Sequence, residues 1–282
     1  MADDTDTEGE TETEFQEGRY LYCAVAVDDE ADPDTEGVDD EPVRLLAVDD
    51  IGVVLHDCES LYDTADMDEL RKWVLQHQNV VDAAGEAFGT PIPFQFDTVL
   101  TGDDDRVREW VAEERGTLAN YLDQLAGHWE YRVELRREEA ALREDLVASD
   151  DRLAELDEEI EAAGSGTAFM LEKQYDQRLR ELRRERRTDR AATLRDRLDE
   201  FARDVNELGE RTTLDDEEGD NDGMETQARF TVLATEDNEE GMGEMLDEVA
   251  AETGVEVRFT GPWPPYSFVP AIGGEDGTET GG

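Results

Sequence analysis

From Leu142 to Leu208 the apolar residues keep a helical beat, and no other feature narrows the possible folds so much. Leu142, Leu146, Ser149, Leu153, Leu156 and Ile160 alternate spacings of four and three, the period that keeps one side of a helix against a neighbouring helix. Ala162 to Gly166 interrupts the run. A second series follows, with Tyr175, Leu179 and Leu182, then Leu194, Leu198, Phe201, Val205 and Leu208, before Gly209. Two long helices joined by a short Gly/Ser loop fold back on each other as an antiparallel pair. Charge agrees with that pairing. The first helix carries Glu144, Asp145, Asp150, Asp151, Glu155, Asp157, Glu158, Glu159 and Glu161, the second Arg178, Arg180, Arg183, Arg184, Arg186, Arg187 and Arg190. Opposite charges across such a seam set orientation more than they add stability. Residues 137–211 are therefore predicted to form a coiled-coil-like helical hairpin.

The flanks read differently. Arg19 to Val27 alternates as a strand, Val43–Val48 and Ile51–His56 around Asp49-Asp50 read as a β-hairpin, and Met67 to Phe88 has helical spacing at Leu70, Val74, His77, Val81 and Ala84. Thr90-Pro91-Ile92-Pro93 is a stiff connector, Phe94, Phe96 and Val99 mark a further strand, and 103–125 is helical with Val107, Val111, Leu118 and Leu122 on one face. Trp129, Tyr131, Val133 and Leu135 alternate as a strand. This order predicts an α+β protein with an N-terminal ferredoxin-like βαβ sandwich over 19–136. Beyond the hairpin and an acidic linker at 212–224, residues 225–270 read as strand, helix and strand, a βαβ unit packing with the hairpin as one C-terminal domain. The polar acidic stretches at 1–18, roughly 213–223 and 271–282 are expected to be disordered.

Seventy-eight acidic residues against 26 basic ones leave a formal net charge of −52 on 282 residues. Lys72 and Lys173 are the only lysines. Self-repulsion of this size opposes compaction in dilute buffer and is largely silenced in molar salt, where the Debye length shrinks to about 3 Å. Acid excess with lysine avoidance points to a salt-rich cytoplasm. Such a surface repels nucleic acid. Cys23 and Cys58 are too few for a disulfide framework. The chain starts on an acidic tract rather than a signal peptide, and no apolar stretch approaches a membrane span. A cytoplasmic, soluble protein is expected.

Near the C-terminus, Gly261-Pro262-Trp263-Pro264-Pro265-Tyr266-Ser267-Phe268 interleaves three prolines with three aromatics. Proline fixes φ and removes a backbone donor, so no central strand runs through it, and the aromatic faces need something to dock on. This segment resembles the C-terminal motif of the gas vesicle GvpF/GvpL family. The strand Arg19-Tyr20-Leu21-Tyr22-Cys23-Ala24-Val25 and the stretch Gly166-Thr167-Ala168-Phe169-Met170-Leu171-Glu172-Lys173 are similar to that family in order and spacing, with Phe169 where Tyr is more usual. The length looks more like the GvpL branch, from a halophile. The resemblance implies a non-enzymatic accessory or minor structural protein that binds the hydrophobic shell protein and sibling accessory proteins during gas vesicle nucleation and assembly, with incorporation in the vesicle as a minor component.

The candidate partner-binding residues are Trp263, Pro264, Pro265, Tyr266 and Phe268, together with Arg183, Arg186 and Arg187. For the aromatics, docking on the chain's own C-terminal sheet ranks ahead of partner contact. For the arginines, pairing with the chain's own acidic helix ranks ahead of an acidic partner, and both rank ahead of nucleic acid. His56, His77 and His128 are far apart with no metal-type spacing, and a structural role is expected. Asp103-Asp104-Asp105 reads as a helix cap rather than a cation site. No catalytic constellation, phosphate loop, metal set or cofactor motif is recognised, so neither an enzyme nor a cofactor is expected. The rival reading is a small-ligand-sensing regulatory α/β module, by analogy with other ferredoxin-like folds.

Overall fold

A computed structural model describes residues 14–27, 33, 35–209 and 223–270. Of the stretches expected to be disordered, residues 1–13, 213–222 and 271–282 lie outside them. Residues 14–18 do not, and belong to the first strand. The chain divides into two compact units. Trp129–Pro262 forms one; the chain before it, with the segment from Trp263, forms the other.

The first unit is built on β1 (Glu14–Ala26), the centre of a sheet ordered β2-β3-β1-β4, where β2 is Arg44–Val48, β3 is Ile51–Ser60 and β4 is Ile92–Pro93. β5 (Val99–Thr101) also pairs with β1. Pro93 lies on the sheet's edge, where a missing N–H costs no ladder bond. The pairing of β1 with β3 slips twice, once between Glu14 and Gly18 and again where Leu21 faces Leu55 and Cys23 faces Val54, so that Tyr22 is the extra residue of a bulge. The bulge breaks strict alternation and brings Tyr20, Tyr22, Cys23 and Val25 into one buried cluster.

Helix α1 (Met67–Phe88) is capped by Asp66, whose carboxylate accepts the N–H groups of Asp68 and Glu69. It buries Trp73, His77, Val80, Val81 and Ala84. Val74, expected on the core face, is 43% exposed; the inward stripe is set by the bulky Trp73. Helix α2 (Asp104–Leu125) is capped by Asp103 and buries Val107, Val111, Leu118 and Leu122. One short network ties its first turn to the sheet: an Asp104 carboxylate oxygen lies 2.7 Å from both Arg19 and Arg44.

The second unit holds a sheet ordered β7-β8-β6-β9: β6 is His128–Glu138, β7 Asp204–Glu207, β8 Met224–Thr235 and β9 Val255–Trp263. The strand at 129–135, expected to close the N-terminal domain, thus lies inside the other sheet. Its alternating Tyr131, Val133 and Leu135 meet Phe230 and Val232 of β8 in one core, which helix α6 (Glu239–Ala250) completes with Met242, Leu246 and Val249. β9 is an edge strand and runs through Pro262.

Between β6 and β7 stand three helices, not two. α3 (Glu139–Ser149) stops at Asp150, whose extended backbone and side chain begin α4 (Asp151–Ala162). α5 (Ser165–Leu198) follows. Leu153 and Leu156 of α4 bury against Tyr175, with Leu171, Leu179 and Leu182 around them. The second helix ends at Leu198, ten residues before the predicted end. The Asn238 amide donates to the Phe201 carbonyl at 2.6 Å, and Val205, read as helical, is a buried residue of β7.

Candidate functional site

Four features of these elements bear on function: the arginines of α5, the Pro/aromatic segment, the apolar outer face of α1, and a polar cluster inside the first unit.

Arg178, Arg183 and Arg190 are paired within the fold. Arg178 binds Asp150 at 2.7 Å, Arg183 lies 3.7 Å from Glu225, and Arg190 meets Glu252. Only the first of these partners belongs to the acidic stretch of α3 and α4; Glu225 lies in β8 and Glu252 just after α6. Arg186 and Arg187 are half-buried. Arg180 and Arg184 are exposed and have no ion-pair partner among the described residues.

In the tail, Pro264 and Pro265 are buried, Tyr266 and Phe268 are half-buried in a 3₁₀ turn, and Trp263 is 36% exposed. The turn closes with the Tyr266 N–H donating to the Pro264 carbonyl at 2.8 Å. Trp263 is the last residue of β9 in the C-terminal sheet, and from Trp263 on the segment groups with the first unit. The predicted aromatics and the predicted arginines therefore fall in different units.

Met67, Val74 and Leu75 on α1 are 58%, 43% and 63% exposed, and Leu61 just before the helix is 39% exposed. Phe169 and Met170, in the first turns of α5, are also exposed. Large apolar side chains stand out on a chain so rich in carboxylates. Sequence reading missed the α1 face because Val74 was assigned to the core.

Inside the first unit, two histidines treated as isolated meet in one cluster. The bulge sets Tyr20 and Tyr22 beside them: Tyr20 stacks on His56 at 4.8 Å between centroids. His77 Nε2 faces the Phe94 carbonyl at 3.1 Å, so it carries the proton, and Nδ1 accepts from the Tyr20 hydroxyl at 2.9 Å. His56 lies between the hydroxyls of Tyr22 (2.7 Å) and Tyr62 (2.9 Å). The Tyr22 oxygen also accepts the Val38 N–H at 2.8 Å. Glycine is required alongside, since a Cβ on Gly37 would collide with the Tyr22 hydroxyl and lie 2.9 Å from Val43. Burial drives both imidazoles down to about 4, against the charge of Asp57 at His56 and the Phe94 hydrogen bond at His77. Burial likewise raises the Tyr20 and Tyr22 hydroxyls and pushes the Cys58 thiol up to about 11. The groups are held neutral, which suits a structural clasp better than acid–base or thiolate chemistry. Two tyrosines at i and i+2 on one strand were the sequence signal for it.

Among the described residues no group of three or more His, Cys, Asp or Glu side chains could hold a metal ion, and no helix is long and apolar enough to cross a membrane. An open polar depression of about 430 Å³ is lined by Thr35, Glu36, Asp40, Gln76 and Asn79.

Comparison with known proteins adds the following. A family profile described as "Gas vesicle synthesis protein GvpL/GvpF" matches residues 18–270. Gas vesicle protein L1 of Halobacterium salinarum is 44% identical over 269 residues, covering 95% of each chain. Gas vesicle protein L of Haloferax mediterranei is 42% identical over 239 residues, 85% of this chain and 74% of that one. The crystal structure of GvpF from Anabaena superposes with a TM-score of 0.72 at 17% identity, over 90% of this chain and 98% of that one. GvpF from Microcystis aeruginosa gives 0.64 at 18%, over 89% and 98%.

Proposed function

The chain belongs to the gas vesicle synthesis protein GvpL/GvpF family, and from that premise we propose that it is a non-enzymatic accessory or minor structural protein of the gas vesicle. It binds the hydrophobic shell protein and sibling accessory proteins in the cytoplasm while vesicles nucleate and grow. The observation that carries this reading is the set of large apolar side chains that α1 exposes, Met67, Val74 and Leu75, with Leu61 exposed shortly before the helix, on a chain of net charge −52. A shell polypeptide exposes apolar segments before assembly. A soluble, highly charged partner that covers them delays aggregation. The outward Trp263, with Tyr266 and Phe268 beside it, offers a second contact of the same chemistry. The strand orders β2-β3-β1-β4 and β7-β8-β6-β9 support a ferredoxin-like reading of both sheets. The leucine seam of α4 and α5 supports the coiled-coil-like hairpin.

The test is co-purification with the shell protein in molar KCl. Val74→Glu with Leu75→Glu is expected to abolish recovery of the shell protein while leaving circular dichroism intact. Deletion of residues 261–269 is expected to reduce recovery and vesicle number. Full recovery from the α1 double variant overturns the assignment of that face.

A further inference from the structure

On α5 the residues Arg180, Arg184, Arg187, Ala191, Leu194 and Leu198 follow one another at spacings of four and three, so they share one face of the helix. The lower half of this stripe is core: Ala191, Leu194 and Leu198 are buried with β6, β8 and α6. The upper half continues the same face as guanidinium groups. Arg180 and Arg184 are exposed, and neither has an ion-pair partner among the described residues. Seven of the thirteen residues from Arg178 to Arg190 are arginine and three are acidic. This is a concentration of positive charge in a chain that is otherwise overwhelmingly negative.

We propose that Arg180 and Arg184 form a docking surface for a carboxylate-bearing α-helix of a partner polypeptide, one that presents Asp or Glu at i and i+4. Three arguments single out that occupant. Guanidinium groups one helical turn apart match carboxylates one turn apart, and each can be gripped by two parallel N–H···O bonds. In molar salt a distant field is lost but direct contacts persist, so the chain's net charge does not keep an acidic partner away. Nucleic acid fits less well, because a short basic row set in an acidic surface offers few phosphate contacts. The surface is separate from the α1 face, and its test needs no vesicles.

The experiment uses the full chain in about 2 M KCl, where the Debye length is below ~3 Å, and fluorescence anisotropy of a labelled peptide. The probe is a helical alanine-rich peptide of roughly 20 residues, long enough to be helical alone, with glutamates along one face. A second peptide has the same composition with the glutamates spread around the helix. Duplex DNA is a third probe. The chain is expected to bind the one-face peptide more tightly than the spread one. Arg180→Glu with Arg184→Glu is expected to weaken binding about tenfold or more, because reversal adds repulsion to lost pairs. Arg180→Lys with Arg184→Lys is expected to give an intermediate loss, since lysine keeps charge without the fork. Arg108→Glu on α2 leaves binding unchanged. Equal affinity for both peptides, no effect of the double reversal, or preference for DNA overturns the proposal. So does a change in the chain's own sedimentation on double reversal, which would make the occupant a second copy.

Discussion

At the scale of single residues, Tyr22 shows how one position organises its neighbourhood. Its hydroxyl meets His56 and accepts the Val38 N–H, which joins the centre of the sheet to the 3₁₀ turn at Val38–Asp40. Tyr22→Phe leaves both partners buried and unsatisfied, so a loss of about 1–3 kcal/mol is expected, read as a lower urea midpoint in molar KCl. The two buried imidazoles make a separate prediction. Unfolded, each binds a proton near pH 6.5; folded, each resists until about 4. The unfolded state therefore takes up protons first, and stability falls as pH drops from about 6.5 towards 4, then levels off, by up to about 3 kcal/mol per histidine. Thermal midpoints across that range in molar KCl, where relief of carboxylate repulsion is screened, check it. His77→Gln should give a shallower slope. Read one at a time, His56 and His77 carry no information in the sequence. Their meeting depends on a bulge at Tyr22, and which of two adjacent residues a bulge leaves unpaired is decided by the partner strand.

Elements were legible where their own apolar period decided the outcome. The faces of α2 and the seam of α4 and α5 follow spacing alone, because each packs along a single stripe. α1 did not, since two overlapping stripes, Leu70–Val74 and Trp73–His77, compete and the larger side chains won the inside. β7 was hidden because Val205 continues a four-three rhythm whose helix is already closed at Leu198. Nor could period alone assign β6 to a sheet, since pairing between distant strands is not a local property. At this scale Leu156→Ala is expected to cost about 2–5 kcal/mol, since the side chain is fully enclosed between two helices. Asp150→Ala removes the cap of α4 and the partner of Arg178, and about 1 kcal/mol is expected from the cap alone. Hydrogen exchange confined to 151–182 would show both.

The whole molecule answers to salt. With a net charge of −52 and many ion pairs at the surface, the folded state is opposed by repulsion that reaches about 8 Å at physiological ionic strength and about 3 Å at 1 M. Transfer from molar to roughly 50 mM KCl is expected to unfold or aggregate the chain; an unchanged circular dichroism spectrum would refute it. The division into units has a consequence for biosynthesis. Trp129–Pro262 is an insertion within the other unit, which receives its last piece only from Trp263 onward. On a ribosome adding about 5–20 residues per second, the half of the protein begun first is the half finished last. It must wait, incomplete, until Trp263 and the residues after it have been made.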